Sequence, residues 1–248
     1  KEIYGNQCGS DNAFTRKARL LQSMYRVEIG EEEGVGPTRT AKRKYGNMIS
    51  GGEVSGKNFL MKETFEYAKE RVANKRENET IDGFRLFNNL LSSQPMAFNL
   101  FCPLRKMLKE LPDTATKVIK AALPDYPIHR VTDVDLEFIP EKYTELTGDK
   151  SAMDAIIKFV DSDGRGGFIA IETKYSENLG TNVAYDRDEN GQKIPRVKTI
   201  EAVKKLRCFK PDIEKQIVEG KKGLTQIYRN FLLSEMYGLD EEIQSYSI

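Results

Sequence analysis

The stretch Met153-Asp-Ala-Ile-Ile-Lys-Phe-Val-Asp-Ser-Asp-Gly-Arg-Gly-Gly-Phe-Ile-Ala-Ile-Glu-Thr-Lys174 decides how the chain reads. Residues 152–160 are rich in Ile, Val and Phe and predict a strand. Asp161-Ser-Asp-Gly-Arg-Gly-Gly167 is a turn, and residues 167–175 predict a second strand, so the pair reads as a hairpin. Asp154 sits in the first strand, and Glu172 and Lys174 sit near the end of the second. A period of two puts Glu172 and Lys174 on one face, and the hairpin brings Asp154 to the neighbouring strand. Charged side chains in such apolar strands are unusual unless they are paired.

Two carboxylates at that range can hold a hard cation such as Mg²⁺, with room left for water and a phosphate oxygen. The cation lowers the pKa of water and offsets charge developing on a phosphoryl group. The lysine can orient the water and stabilise the transition state. A bland alternative is a structural ion pair at a sheet edge. A lone Glu-x-Lys is weak as a signal; an Asp, seventeen residues, then Glu-x-Lys across a strand–turn–strand is more specific.

Working outward, residues 131–139 alternate Val134, Leu136 and Phe138 with Asp133, Asp135 and Glu137, the period of a strand with one buried face. Glu137 is either a further metal or water ligand or a solvated edge carboxylate. Residues 13–28 predict a helix, with Leu20, Leu21, Met24 and Val27 as its apolar positions. Further helices are predicted at 59–75, 81–91, 104–123 (interrupted by Pro112), 214–220 and 224–237. Residues 30–36 and 178–195 read as loops. On the last helix Gln226 has Arg229 and Asn230 three and four residues on, near one face. Ser92, Ser93, Gln94 and Asn99 are polar in an apolar stretch, as helix caps or as groove lining.

Composition narrows the chemistry. The chain has 248 residues, 39% hydrophobic and 31% charged, an ordinary globular balance. A single histidine, His129, excludes multi-histidine metal sites within this chain and leaves catalysis to carboxylates, lysine or tyrosine. Cys8, Cys102 and Cys208 have neither zinc spacing nor a disulfide pattern, which fits a reducing compartment. No run of apolar residues is long enough to span a membrane, and residues 1–14 lack an apolar signal core; a cytoplasmic location is expected. Net charge is +1, but residues 193–229 hold 11 basic and four acidic side chains, +7 against −6 for the remainder. Such a patch can attract phosphates, or it can be a solvated helical face. Gly51-Gly-Glu-Val-Ser-Gly-Lys57 has the outline of a nucleotide-binding loop, but Asn58 stands where Ser or Thr should hold Mg²⁺. Residues 42–50 before it do not read as a strand, so a loop opening a helix is the better reading.

The pattern of an acid on one strand and Glu-x-Lys on the next resembles the PD-(D/E)xK nuclease superfamily. More of the chain is similar to a narrower bacterial group of restriction-endonuclease-like proteins, through Tyr45-Gly-Asn, residues 85–101 (Arg-Leu-Phe-Asn-Asn-Leu-Leu-Ser-Ser-Gln-Pro-Met-Ala-Phe-Asn-Leu-Phe), Met153-Asp-Ala, residues 171–177 and residues 226–230. Met153 stands where the superfamily pattern has proline. The resemblance implies an α/β fold: a central mixed sheet flanked by helices, with an N-terminal helical extension at 1–80 packed on a core at 81–248. It implies DNA phosphodiester hydrolysis assisted by Mg²⁺, with Mn²⁺ as a substitute. Asp154, Glu172, the Thr173 carbonyl and Glu137 are the expected metal ligands, and Lys174 the group that positions water. Gln226 corresponds to a helical glutamine that members place near the site. Lys204, Lys205, Arg207 and Arg229 are the expected phosphate contacts. The rival expectations are a non-catalytic DNA-binding or scaffolding module on the same fold, and an RNA nuclease. A palindrome cutter would pair about a two-fold axis, so a homodimer stays open, though no sequence feature demands one.

Overall fold

A computed structural model describes residues 3–76, 79–177, 185–213 and 225–248. The fold is mixed α/β: a four-stranded mixed sheet with nine helices among the described residues. Two compact units divide the chain, one made of residues 1–103 with 173–177, the other of 104–172 with 178–248. The division falls inside a long helix, at Pro103.

In the first unit, α1 (Ala13–Glu28) is capped by Asn12, whose side chain accepts from the Thr15 N–H at 2.8 Å. A short antiparallel pair follows, β1 (Glu33–Val35) and β2 (Lys44–Ile49). Residues 42–50 thus contain a strand after all. Polar Lys44 and Asn47 hide the strand period, although Asn47 is buried together with Met48 and Ile49. Next come α2 (Gly52–Ser55), α3 (Lys62–Ala73), α4 (Gly83–Asn88) and the start of α5 (Ser93–Glu110). The loop at residues 51–57 is not a phosphate cradle. Its backbone closes into the single turn of α2, and the Gly52 N–H is taken by Asn88 Oδ1 at 2.8 Å. Pro95 lies in the first turn of α5, where a missing N–H costs nothing.

The helix expected at 13–28 is present as α1, and its apolar positions face outward. Its buried residues are Ala18, Ser23 and Arg26, whereas Leu20, Leu21, Met24 and Val27 are exposed. The polar side faces inward because it has specific partners there. Arg26 donates to the Gly46 carbonyl at 2.8 Å, and Arg19 binds Asp11 at 2.6 Å and Asn47 Oδ1 at 2.6 Å. Glycine at 46 permits this approach: a Cβ there would meet Ser23 Oγ of α1 at 2.5 Å.

In the second unit α5 ends, α6 (Pro112–Ala122) follows, and the sheet begins with β3 (Arg130–Phe138). Then come α7 (Tyr143–Leu146), β4 (Met153–Val160), β5 (Gly166–Ile171), a small hairpin of β6 (Tyr185–Arg187) and β7 (Lys193–Pro195), α8 (Val197–Leu206), α9 (Thr225–Asp240) and β8 (Gln244–Ser247). Strand order is β3-β4-β5-β8; the first three are antiparallel, and β8 runs parallel to β5. The hairpin of β4 and β5 agrees with the reading of residues 152–175, except that the second strand stops at Ile171. One more ladder bond, from the Glu172 N–H to the Ile248 carbonyl at 2.9 Å, carries it to Glu172 and no further. Lys174 therefore does not share a strand face with Glu172. β8 and the β6–β7 hairpin were not expected; their short polar strands carry no hydrophobic alternation. The helix expected at 214–220 and part of the loop at 178–195 lie outside the described residues.

Both faces of the sheet are buried, and one of them carries a core cluster against the helices. Ile156, Phe168 and Ala170 pack against Ala202 and Val203 of α8 and Leu232, Leu233 and Met236 of α9, with Leu146 of α7 at the edge. Asp154 is two residues before Ile156 and Glu172 two after Ala170, so both belong to this helix-covered face.

Candidate active site

Register places three acids in one row. Ala155 pairs with Ile171 and Ile156 with Ala170, so the next pair along is Asp154 with Glu172. On the other side Leu136 pairs with Ala155 and Phe138 with Met153, which sets Glu137 opposite Asp154. Glu137, Asp154 and Glu172 thus occupy adjacent strands at one end of the sheet. Glu137 is only 4% exposed, although β3 is an edge strand, so it is not a solvated carboxylate. Its backbone has φ of +50°, which a bulky L-residue seldom adopts and which is most often retained where surrounding structure demands it.

Glu172 is held from α9. Gln226 Nε2 donates to Glu172 Oε1 at 2.5 Å, and Asn230 Nδ2 donates to Oε2 at 2.5 Å. Four residues apart, the two amides project from one helical face onto one carboxylate. Asn230 is buried, and among the described residues its Oδ1 has no hydrogen-bond partner. Between them in sequence, Arg229 donates from both Nε and Nη2 to the two oxygens of Asp149. Burial works against the guanidinium's charge, but Asp149 outweighs it and raises the Arg229 pKa, with a smaller contribution from Glu172. Asp149 lies in the turn that leads into β4, and the same turn is tied to α8: Thr199 Oγ1 donates to the Thr147 carbonyl at 3.1 Å and Arg196 to the Gly148 carbonyl. The strand carrying Asp154 and the helix carrying Gln226 are therefore fastened to one another just beside the acids.

Lys174 lies beyond the ladder in residues 173–177, which belong to the first unit. That segment is pinned there by Glu177. Its carboxylate accepts from the Ser93 N–H at 2.6 Å and from the Tyr175 and Ser176 N–H groups at 3.1 Å each. Ser176 Oγ donates to the Leu91 carbonyl at 3.4 Å, and Gln22 donates to Tyr175 Oη at 2.8 Å. Burial opposes ionisation of Glu177, but the backbone donors, led by Ser93, more than offset it and hold its pKa below the ordinary 4.5. Residues 175–177 thus meet the stretch 85–101 at the start of α5.

Lys204, Lys205 and Arg207 are exposed at the end of α8. Arg229 differs from them, being committed to Asp149. Lys215, Lys221 and Lys222 lie outside the described residues. Sequence reasoning missed Asp149 and Glu177. Glu177 ends the stretch 171–177, but its partner Ser93 is 84 residues away, and nothing local announces that bond.

The donor set fits a hard cation in its chemistry. Carboxylates in a row and a buried amide oxygen that has no donor among the described residues are the oxygen ligands that Mg²⁺ and Mn²⁺ prefer. Among the described residues no three acidic, histidine or cysteine side chains close on a common point, and both Glu172 oxygens are engaged by amides.

A family model described as PD-(D/E)XK nuclease superfamily matches residues 9–245. No curated protein and no solved structure matches the chain.

Proposed function

Since the chain belongs to the PD-(D/E)xK nuclease superfamily, we propose that it is an endonuclease that hydrolyses DNA phosphodiester bonds with Mg²⁺ or Mn²⁺. The observation that carries this reading is the row Glu137–Asp154–Glu172, with Gln226 and Asn230 converging on Glu172. Asp154, Glu172 and the Thr173 carbonyl would hold the cation, with Glu137 beside them. A bound divalent ion supplies Lewis-acid stabilisation of the phosphoryl group and a water of lowered pKa. Lys174, two residues beyond Glu172, donates to the attacking water and offsets charge that develops on the phosphate. Gln226 and Asn230 fix the rotamer of Glu172, the role an outer layer of hydrogen bonds has at metal sites. Lys204, Lys205 and Arg207 attract the phosphate backbone. Arg229 acts on α9 rather than on DNA, because Asp149 holds it.

A second reading, DNA binding without cleavage, is favoured by the engagement of both Glu172 oxygens by amides. Supercoiled plasmid separates the two. With Mg²⁺ or Mn²⁺ the natural chain nicks or linearises the plasmid, and Lys174→Ala does not. Binding without nicking by either protein supports the second reading. Equal nicking by both removes Lys174 from the mechanism.

A further inference from the structure

We infer that the outward face of α1 is the surface on which two copies of this chain pair, helix against helix and antiparallel about a two-fold axis. Phe14 is 61% exposed, Leu21 59%, Met24 44%, Leu20 42% and Val27 37%. Leu20, Leu21, Met24 and Val27 recur at helical spacing and form one stripe along the helix. A lone exposed leucine needs no explanation, but a contiguous apolar stripe on a soluble surface marks an interaction site. The stripe is not a helix waiting to turn over. The opposite side of α1 is already bound through Arg19, Ser23 and Arg26, so the apolar side has to be covered by something else.

Charge selects a second copy as the occupant. Lys17 and Glu28 are exposed and lie on the stripe at its two ends. In an antiparallel pair with the two-fold axis between Leu21 and Met24, residues whose numbers sum to 45 oppose each other. That register sets Leu21 against the partner's Met24, and Lys17 against the partner's Glu28. By symmetry both contacts form twice. A parallel pair would instead align like charges. A 16-residue helix is about 24 Å long. One such pair covers less than the roughly 1,600 Å² of a standard interface. A weak dimer, with Kd on the order of micromolar, is the consequence.

Sedimentation of the full chain from about 1 to 100 μM tests this, and the range brackets the Kd. The natural chain is expected to pass from monomer to dimer. Met24→Glu should stay monomeric at every concentration with an unchanged circular dichroism spectrum, because the site is at the surface. Lys17→Glu and Glu28→Lys each replace two attractions by two repulsions and should weaken pairing by about tenfold. The double variant, with both charges exchanged, should restore it. A natural chain that stays monomeric overturns the inference. So does a dimer that Met24→Glu leaves intact, or a double variant as weak as the singles. Binding of the monomer to anionic phospholipid vesicles without self-association would overturn it too, and would assign the stripe to a membrane surface.

Discussion

Replacing Glu177 with glutamine tests how residues 171–177 are held. Three backbone N–H groups, from Ser93, Tyr175 and Ser176, point at an ionised carboxylate at 2.6 to 3.1 Å. Glutamine keeps the shape, loses the charge and turns one oxygen into a donor that opposes its neighbours. A hydrogen bond to a charged group contributes about 1.5–3 kcal/mol net, a neutral one about 0.5–1.5, so the loss is about 1 kcal/mol per bond. Glu177 is only half-buried, and solvent screening lowers the total from three bonds to about 2 kcal/mol. For a chain of this size that is roughly 4–8 °C in Tm. The folded pKa is depressed below 4.5, so the stabilisation is complete above that value and is lost as pH falls through the folded pKa. Urea unfolding of both proteins at pH 7.5 and again near pH 3 reads the difference. It should be about 2 kcal/mol at the higher pH and smaller at the lower. An equal difference at both pH values, or one below about 0.5 kcal/mol at pH 7.5, refutes the account of the carboxylate as an ionised acceptor.

Other consequences follow from the same contacts. Gln226→Ala and Asn230→Ala should each lower Mn²⁺ affinity or cleavage about 10–100-fold with little change in Tm, measured by calorimetric titration and by duplex cleavage. Asp149→Ala leaves the largely buried Arg229 without its anion and should cost about 3 kcal/mol; Asp149→Ala with Arg229→Met should recover more than half of that in a double-mutant cycle. Lys204→Ala with Lys205→Ala should weaken binding of every DNA sequence alike and reduce the salt dependence of log K by about one to two; an unchanged slope would remove both from the phosphate path.

The deciding hairpin is legible because its apolar strands, its Asp-Ser-Asp-Gly turn and its charged ends are all local. The register that follows from it sets Asp154 beside Glu172, and the helix at 224–237 carries its amphipathic period openly. Other features depend on contacts far apart in sequence. β8 is four polar residues that become a strand only because β5 offers a free edge. β5 ends at Ile171 with no breaker in residues 172–176 to announce it, and the bond from Ser93 to Glu177 just beyond spans 84 residues. The inverted α1 shows the limit most plainly. Periodicity identifies an apolar side but not what covers it, and Arg19 and Arg26 claimed the inward side through partners in β2.

The most direct test of the central claim is the initial rate of cleavage of an end-labelled DNA duplex as a function of Mn²⁺ concentration, for the natural chain and for Asp154→Asn. A rate that rises to saturation with Mn²⁺ in the natural chain and stays at background in the variant is the predicted result. Cleavage that persists in excess EDTA, or a variant as fast as the natural chain, would contradict the assignment of Asp154 and Glu172 as the metal-holding pair.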